Sequence, residues 1–268
     1  MKLFISADME GLAHVVTSSE VNREHADYPY FSEWMSKEVA ALAETAMKKG
    51  FEEVFIKDGH ASGRNIVPSY LPSGSKLLRS WTGDPLLMMA GLDKSFDGVA
   101  FVGYHSAAGH SGNPLAHTVS GAKISHLKIN GQIASEFLLN AYTAAYYGVP
   151  VIAITGDAAV CREAKKWIPS IITIPVKEGI GTATISMAEC DVISFIHESM
   201  RKLDMKILKE CQLYLPEAFD IELKFTRYHY AYQASFYPGV TLKDDYTIQY
   251  YTEDYYEFLR MFMFVMKG

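Results

Sequence analysis

Short apolar runs and longer segments of helical periodicity alternate through the first 175 residues or so of this chain. The runs at residues 2–7, 54–57, 98–102 and 150–155 are apolar and rich in β-branched or aromatic residues, a pattern that predicts buried strands. Helical patterns are predicted over 32–49, 136–147, 158–167 and 187–211. Ser32 reads as the N-cap of the first of these and Gly50 as the left-handed residue that ends it. Asn130-Gly131, set between alternating residues, predicts a type I′ hairpin across 123–133. Strands near 220–225 and 247–251 and a buried final helix over 258–266 complete the pattern. This rhythm predicts an α/β protein with a largely parallel central sheet flanked by helices. Residues 1–211 are expected to form the core and residues 212–268 a smaller C-terminal α/β lobe packed on it.

Composition narrows the function classes. The 268 residues are 49% hydrophobic and 21% charged, which is ordinary for a soluble globular protein. A net charge of -6 with no Lys/Arg block excludes nucleic acid as the main partner. The N-terminal apolar run is too short for a leader or a span, and the C-terminal run around Arg260 is also too short, so no membrane partner is expected. Three widely spaced cysteines without a Cys-x-x-Cys pair argue against a disulfide framework or a thiolate zinc site, and for a reducing cytoplasm.

The chemistry begins where the first strand ends. Asp8 and Glu10 are two apart and so share a face, and like charges at that separation repel unless a cation or a shared proton neutralises them. A solvated pair capping the strand is the simpler account of that motif taken alone. Two more predicted strands, however, run into His60 (Asp58-Gly59-His60) and His105 (Gly103-Tyr104-His105), and Glu136 opens the helix after the hairpin. Strand ends of one parallel sheet lie side by side, and ligands gather beyond them. Three carboxylates and two imidazoles suit zinc, and suit two ions better than one, with Asp8 placed to bridge. Asp58 and Asp157 are candidates for orienting the histidines. The Gly/Ala-rich segment 106–116 carries His110 and leads to His117, and its composition suits a mobile lid or a substrate-shaped pocket. His197-Glu198 is followed by Arg201 where a zincin needs histidine, so that motif fails.

Taken together, Asp8-Met9-Glu10-Gly11, Lys57-Asp58-Gly59-His60, Gly103-Tyr104-His105, Ala116-His117-Thr118, Glu136 with Leu139-Asn140-Ala141-Tyr142, Val149-Pro150-Val151 and Gly156-Asp157 resemble the DppA-type D-aminopeptidases, metallopeptidase family M55. The resemblance runs over essentially the whole chain and is most specific between residues 1 and 157. It implies two zinc ions per subunit on Asp8, Glu10, His60, His105 and Glu136. It also implies an essential catalytic histidine at His117, proposed in the family as nucleophile. The activity implied is release of N-terminal D-amino acids such as D-Ala from short peptides, in a ring-shaped homodecamer. The segment between His105 and His117 is slightly longer than the family pattern, which makes His110 a competing candidate, and Ala116 stands where the pattern often has serine. The expectation is therefore a cytoplasmic, zinc-dependent aminopeptidase. Two other readings are a dinuclear-metal phosphoesterase, for which the chain offers no glycine-rich cradle, and a peptide-binding or transport-associated module with structural metal.

Overall fold

The structure is a computed structural model that describes residues 1–206 and 208–267. In chain order the first elements are β1 (Lys2–Ala7), α1 (Tyr28–Lys48), β2 (Glu53–Asp58), β3 (Ser75–Leu78), β4 (Gly98–Tyr104), β5 (Ile124–Ile129) and β6 (Gln132–Ile133). They are followed by α2 (Glu136–Tyr146), β7 (Val151–Asp157), α3 (Ala158–Trp167), β8 (Ile172–Ile180), β9 (Ala183–Ser186) and α4 (Glu189–Arg201). The last are β10 (Phe219–Phe225), α5 (Tyr228–Ala234), β11 (Thr241–Asp244), β12 (Thr247–Thr252) and α6 (Tyr255–Lys267).

The central sheet has the order β3-β2-β1-β4-β7-β8-β9, and every pairing is parallel except β8 with β9. The chain runs outward from β1 through β2 to β3, then crosses back to build β4, β7 and β8 on the other side of β1. The strand order therefore reverses between β1 and β4, and a crevice opens at that point beyond the carboxyl ends. Every residue of β4 and β7 is buried, as expected of central parallel strands with apolar runs. Helices α1 and α4 pack together on the sheet, while α2 and α3 form a second pair against β4, β7 and β8.

A second, antiparallel sheet has the order β11-β12-β10-β5-β6. It combines strands from before and after residue 212. Its β5–β6 turn is the predicted one, with Asn130 at φ 51° and Gly131 at φ 77°. Among the described residues, no helix is long and apolar enough to cross a membrane.

Several elements differ from expectation for identifiable reasons. Helix α1 begins at Tyr28 with Pro29 in its first turn, and Ser32 lies inside it, its hydroxyl donating to the Asn65 carbonyl. The helix predicted over 187–211 is α4 only. After Arg201 the Asp204 carboxylate accepts from the Lys206 amide at 2.9 Å and turns the chain, and a 3₁₀ turn covers Leu208–Cys211. Ile207, within that predicted helix, lies outside the described residues. Cys161 and Cys211 are buried as small hydrophobes, whereas Cys190 is exposed.

Candidate metal centre

Each candidate side chain is set by the end of an element. Beyond β1, the Asp8 amide donates to the Val102 carbonyl and the Gly11 amide to the Gly103 carbonyl, both at 2.8 Å. These bonds fold the Asp8-Met9-Glu10-Gly11 turn onto the end of β4. Gly11 is required there, because a Cβ would stand 1.8 Å from the Tyr104 carbonyl oxygen. His60 follows β2, His105 follows β4, and Glu136 opens α2 behind Ser135, whose hydroxyl accepts from the Leu138 amide as an N-cap.

The six residues converge. His60 Nδ1 lies 3.2 Å from Asp8 Oδ1 and 2.8 Å from Glu10 Oε2. His105 Nε2 lies 3.4 Å from Asp8 Oδ2 and 3.6 Å from Glu136 Oε1. His117 Nε2 lies 3.7 Å from Glu136 Oε1 and 4.0 Å from Glu10 Oε1, and its ring stacks on His105 with centroids 4.4 Å apart. The arrangement divides into two triads, Asp8/Glu10/His60 and His105/His117/Glu136, each with donor atoms within 4.8 Å of one another. The two oxygens of Asp8 face one triad each. His110 is outside the cluster, against a small separate cleft with Arg162, Glu163 and Lys166.

The donor set fits a metal. Each imidazole spends its outer nitrogen on a backbone carbonyl: His60 Nε2 on Val21 at 2.9 Å, His105 Nδ1 on Ser106 at 3.0 Å, His117 Nδ1 on Leu115 at 2.8 Å. Those bonds put a proton on each outer nitrogen and turn each inner nitrogen towards the centre, where a cation would meet it. Buried His105 Nε2 has no hydrogen-bond partner, and Glu10 Oε2 has no aligned one despite the nearby His60. Burial opposes charge on Asp8, yet hydrogen bonds and charge from His105 and His60 hold it well below the usual carboxylate range. Burial likewise opposes charge on His60 and His105, but Glu10 and Asp8 around the first, and Glu136 and Asp8 around the second, raise them well above an ordinary imidazole. The cluster thus stabilises positive charge at its centre, where nitrogen and carboxylate donors suit zinc.

Neither Asp58 nor Asp157 touches an imidazole. Asp58 accepts from the Asn65 and Ile66 amides and from the Asn65 side chain, which also donates to the His60 carbonyl at 2.7 Å. Asp157 caps α3 and accepts from the amide and hydroxyl of Ser106. Both act on the backbone that carries a histidine. The support that sequence reasoning missed is Lys177 on β8. It is buried, and its ammonium donates to the carbonyls of Glu10 and Val15, the latter at 2.7 Å. Asn113 adds a donor to the Glu10 carbonyl at 2.9 Å and so anchors the far half of the 106–116 loop.

Glu38 of α1 completes this floor, accepting from the Ala13 amide at 2.9 Å. Burial pushes its carboxyl up to about 7, against the Ala13 amide, Lys177 and Trp34. A folded-state value above that of a free glutamate favours folding fully below about pH 4, and the contribution is lost as pH rises to the folded value. Glu38→Gln is therefore expected to remove a fall in stability of about 3 kcal/mol between pH 4.5 and 7. Urea unfolding of chelator-treated protein across that range checks it, and equal slopes for wild type and variant contradict it.

A cavity of about 600 Å³ opens onto the cluster, of a size for a small ligand. Its walls are largely apolar, with Leu87, Met88, Leu139 and, from α6, Met263 and Met266.

Comparison with known proteins decides the class. The family model described as Peptidase_M55, D-aminopeptidase, matches residues 1–264. The chain belongs to the M55 peptidases. A D-aminopeptidase of Bacillus subtilis (strain 168) is 29% identical over 261 residues, covering 96% of this chain and 93% of that protein. The solved Zn-dependent D-aminopeptidase DppA from Bacillus subtilis, described as a self-compartmentalizing protease, superimposes with a TM-score of 0.93 at 28% identity, over 100% of this chain and 97% of the other. This M55 peptidase is accordingly a hydrolase with the mixed α/β architecture of that neighbour.

Proposed function

We propose that this M55 peptidase is a zinc-dependent aminopeptidase that releases N-terminal D-amino acids, such as D-Ala, from short peptides. The observation that carries the reading is the pair of adjoining triads, joined by Asp8, at the base of a peptide-sized cavity. Asp8, Glu10 and His60 would hold one ion and His105 and Glu136 a second, with Asp8 shared. Bound there, two zinc ions would supply Lewis-acid polarisation of the scissile carbonyl and acidify water.

The chain's own groups do the rest. The carbonyls of Val21 and Ser106 fix the ring planes of His60 and His105, so the donors are in place before substrate arrives. The Val119 amide donates to Glu136 Oε1 at 2.7 Å and holds that carboxylate against its rotamer freedom. His117 lines the cavity, and with 22% of its side chain exposed it is the least buried of the three imidazoles. Its Nε2, 3.7 Å from Glu136 Oε1 at the cavity wall, is placed to take a proton during attack and return it to the leaving amine. The apolar walls exclude water from the reacting bond.

A ring-shaped oligomer in the cytoplasm belongs to the same proposal, supported by the neighbour's description as self-compartmentalizing, and α6 adds Met263 and Met266 to the cavity wall. Tyr228, Tyr232 and Phe236, all more than half exposed around α5, are the surface offered for a subunit contact.

His117→Ala separates its role from ligation. The variant is expected to keep the full zinc content by elemental analysis while kcat falls by about 10²–10⁴-fold, the usual worth of a positioned acid–base group. Loss of half the zinc would make His117 a ligand instead.

A further inference from the structure

Trp81 is a large aromatic residue in the cavity wall, with 41% of its surface exposed. Unlike a solvated surface side chain, it is fixed from two directions. Its indole N–H donates to the Ala61 carbonyl at 2.7 Å, one residue beyond His60. The Lys57 ammonium sits 4.4 Å from its ring centroid. Lys57 is itself wholly buried, and its ammonium donates to the carbonyls of Asp58 and of Ser80, the latter at 3.0 Å. A buried lysine on β2 therefore ties together the strand that leads to His60 and the segment that carries Trp81.

That segment is held in unusual backbone. Ser80 has φ 67° and Leu87, which also lines the cavity, has φ 52°. A leucine in left-handed backbone persists only where its surroundings impose it, and such residues gather at ligand-contacting walls. The Ser80 amide donates to the Gly63 carbonyl at 2.5 Å, which closes the segment onto the loop after His60. An indole whose rotamer freedom is already lost gives up little more when a ligand covers its exposed surface. The neighbouring Leu87 and Met88 make that surface part of an apolar patch.

From this geometry we infer that Trp81 is a specificity-determining residue, its indole a rigid platform for the apolar or aromatic side chain of one residue of the bound peptide. The inference rests on the peptidase reading of the same cavity. No interaction of the Trp81 side chain with the metal-site residues is involved, so its effect falls on choice of peptide rather than on the chemistry.

The test is kcat/KM of zinc-loaded wild type, Trp81→Ala and Trp81→Phe for two peptide pairs. In one pair the first residue is D-Ala or D-Phe before D-Ala, and in the other the second residue is varied in the same way after D-Ala. In Trp81→Ala the D-Phe to D-Ala ratio is expected to fall about tenfold at one of the two positions, through KM, and to hold at the other. Trp81→Phe, which keeps an aromatic face, is expected to retain the ratio within about threefold. A second readout is binding: peptide-induced change in tryptophan emission is expected in wild type and absent in Trp81→Phe, where Trp34 and Trp167 remain. Ratios unchanged at both positions in Trp81→Ala, even with a lower overall rate, would overturn the inference and leave the peptidase reading standing. Failure of the wild type to cleave any of the peptides would overturn both.

Discussion

Asp8→Asn is expected to lose zinc and peptide hydrolysis together. The two oxygens of Asp8 face the two triads, with Oδ1 3.2 Å from His60 and Oδ2 3.4 Å from His105. The amide keeps the volume and removes the charge, so an effect on packing is separated from an effect on the ions. With Asp8 neutral, burial still opposes charge on His60 and His105, and only Glu10 and Glu136 remain to offset it. Zinc content is expected to fall by at least about half, and kcat/KM by more than about 10³-fold, beyond the loss seen when one preorganised electrostatic partner is removed. Elemental analysis and amino-acid release on the same preparation check both. A zinc-free Asp8→Asn protein with full activity would contradict the assignment.

Lys177→Met is expected to weaken zinc binding from beneath the site, without touching a donor atom. The lysine ammonium holds the carbonyls of Glu10 and Val15, and burial lowers it to about 8 against the pull of Asp157, Glu10, Glu38 and Glu20. Methionine fills similar space and donates nothing. The Glu10 carbonyl would keep only Asn113, the Val15 carbonyl would lose its donor, and the Glu38 carboxyl would lose its nearby cation. A loss of about 2–4 kcal/mol in folding stability follows from leaving buried polar groups unpaired. Because the freed turn carries Asp8 and Glu10, zinc affinity is expected to fall about 10–100-fold, the range for residues that orient ligands rather than supply them. Zinc titration of the folded variant, against urea unfolding of the metal-free form, separates the two effects. An unchanged zinc affinity would remove Lys177 from the positioning machinery.

What was legible in the sequence depended on whether the signal was local. Asp8, His60 and His105 stand out because each follows a strand with a short apolar run, and a parallel sheet brings such ends together without further information. His117 came only from the family resemblance, which left His110 competing with it, since nothing in a loop of small residues marks which imidazole turns inward; the fold separates the two. Lys177 carried no signal at all. Its strand reads as irregular because Pro175 and Gly179 interrupt it, and its partners lie more than 160 residues away. The second sheet was hidden for the same reason, because β5 pairs with β10 through contacts such as Ile129 with Ile221. Short edge strands such as β3 and β11, each of four residues, and the tyrosine-rich seven-residue helix α5 are fixed by tertiary packing more than by propensity.

The central claim is tested most directly by amino-acid release from D-Ala-D-Ala and from L-Ala-L-Ala, each with zinc-loaded and with chelator-treated protein. Release is expected from the D-peptide alone, lost on chelation and restored by zinc. Release from neither peptide, or release from the D-peptide that survives complete removal of zinc, would contradict it.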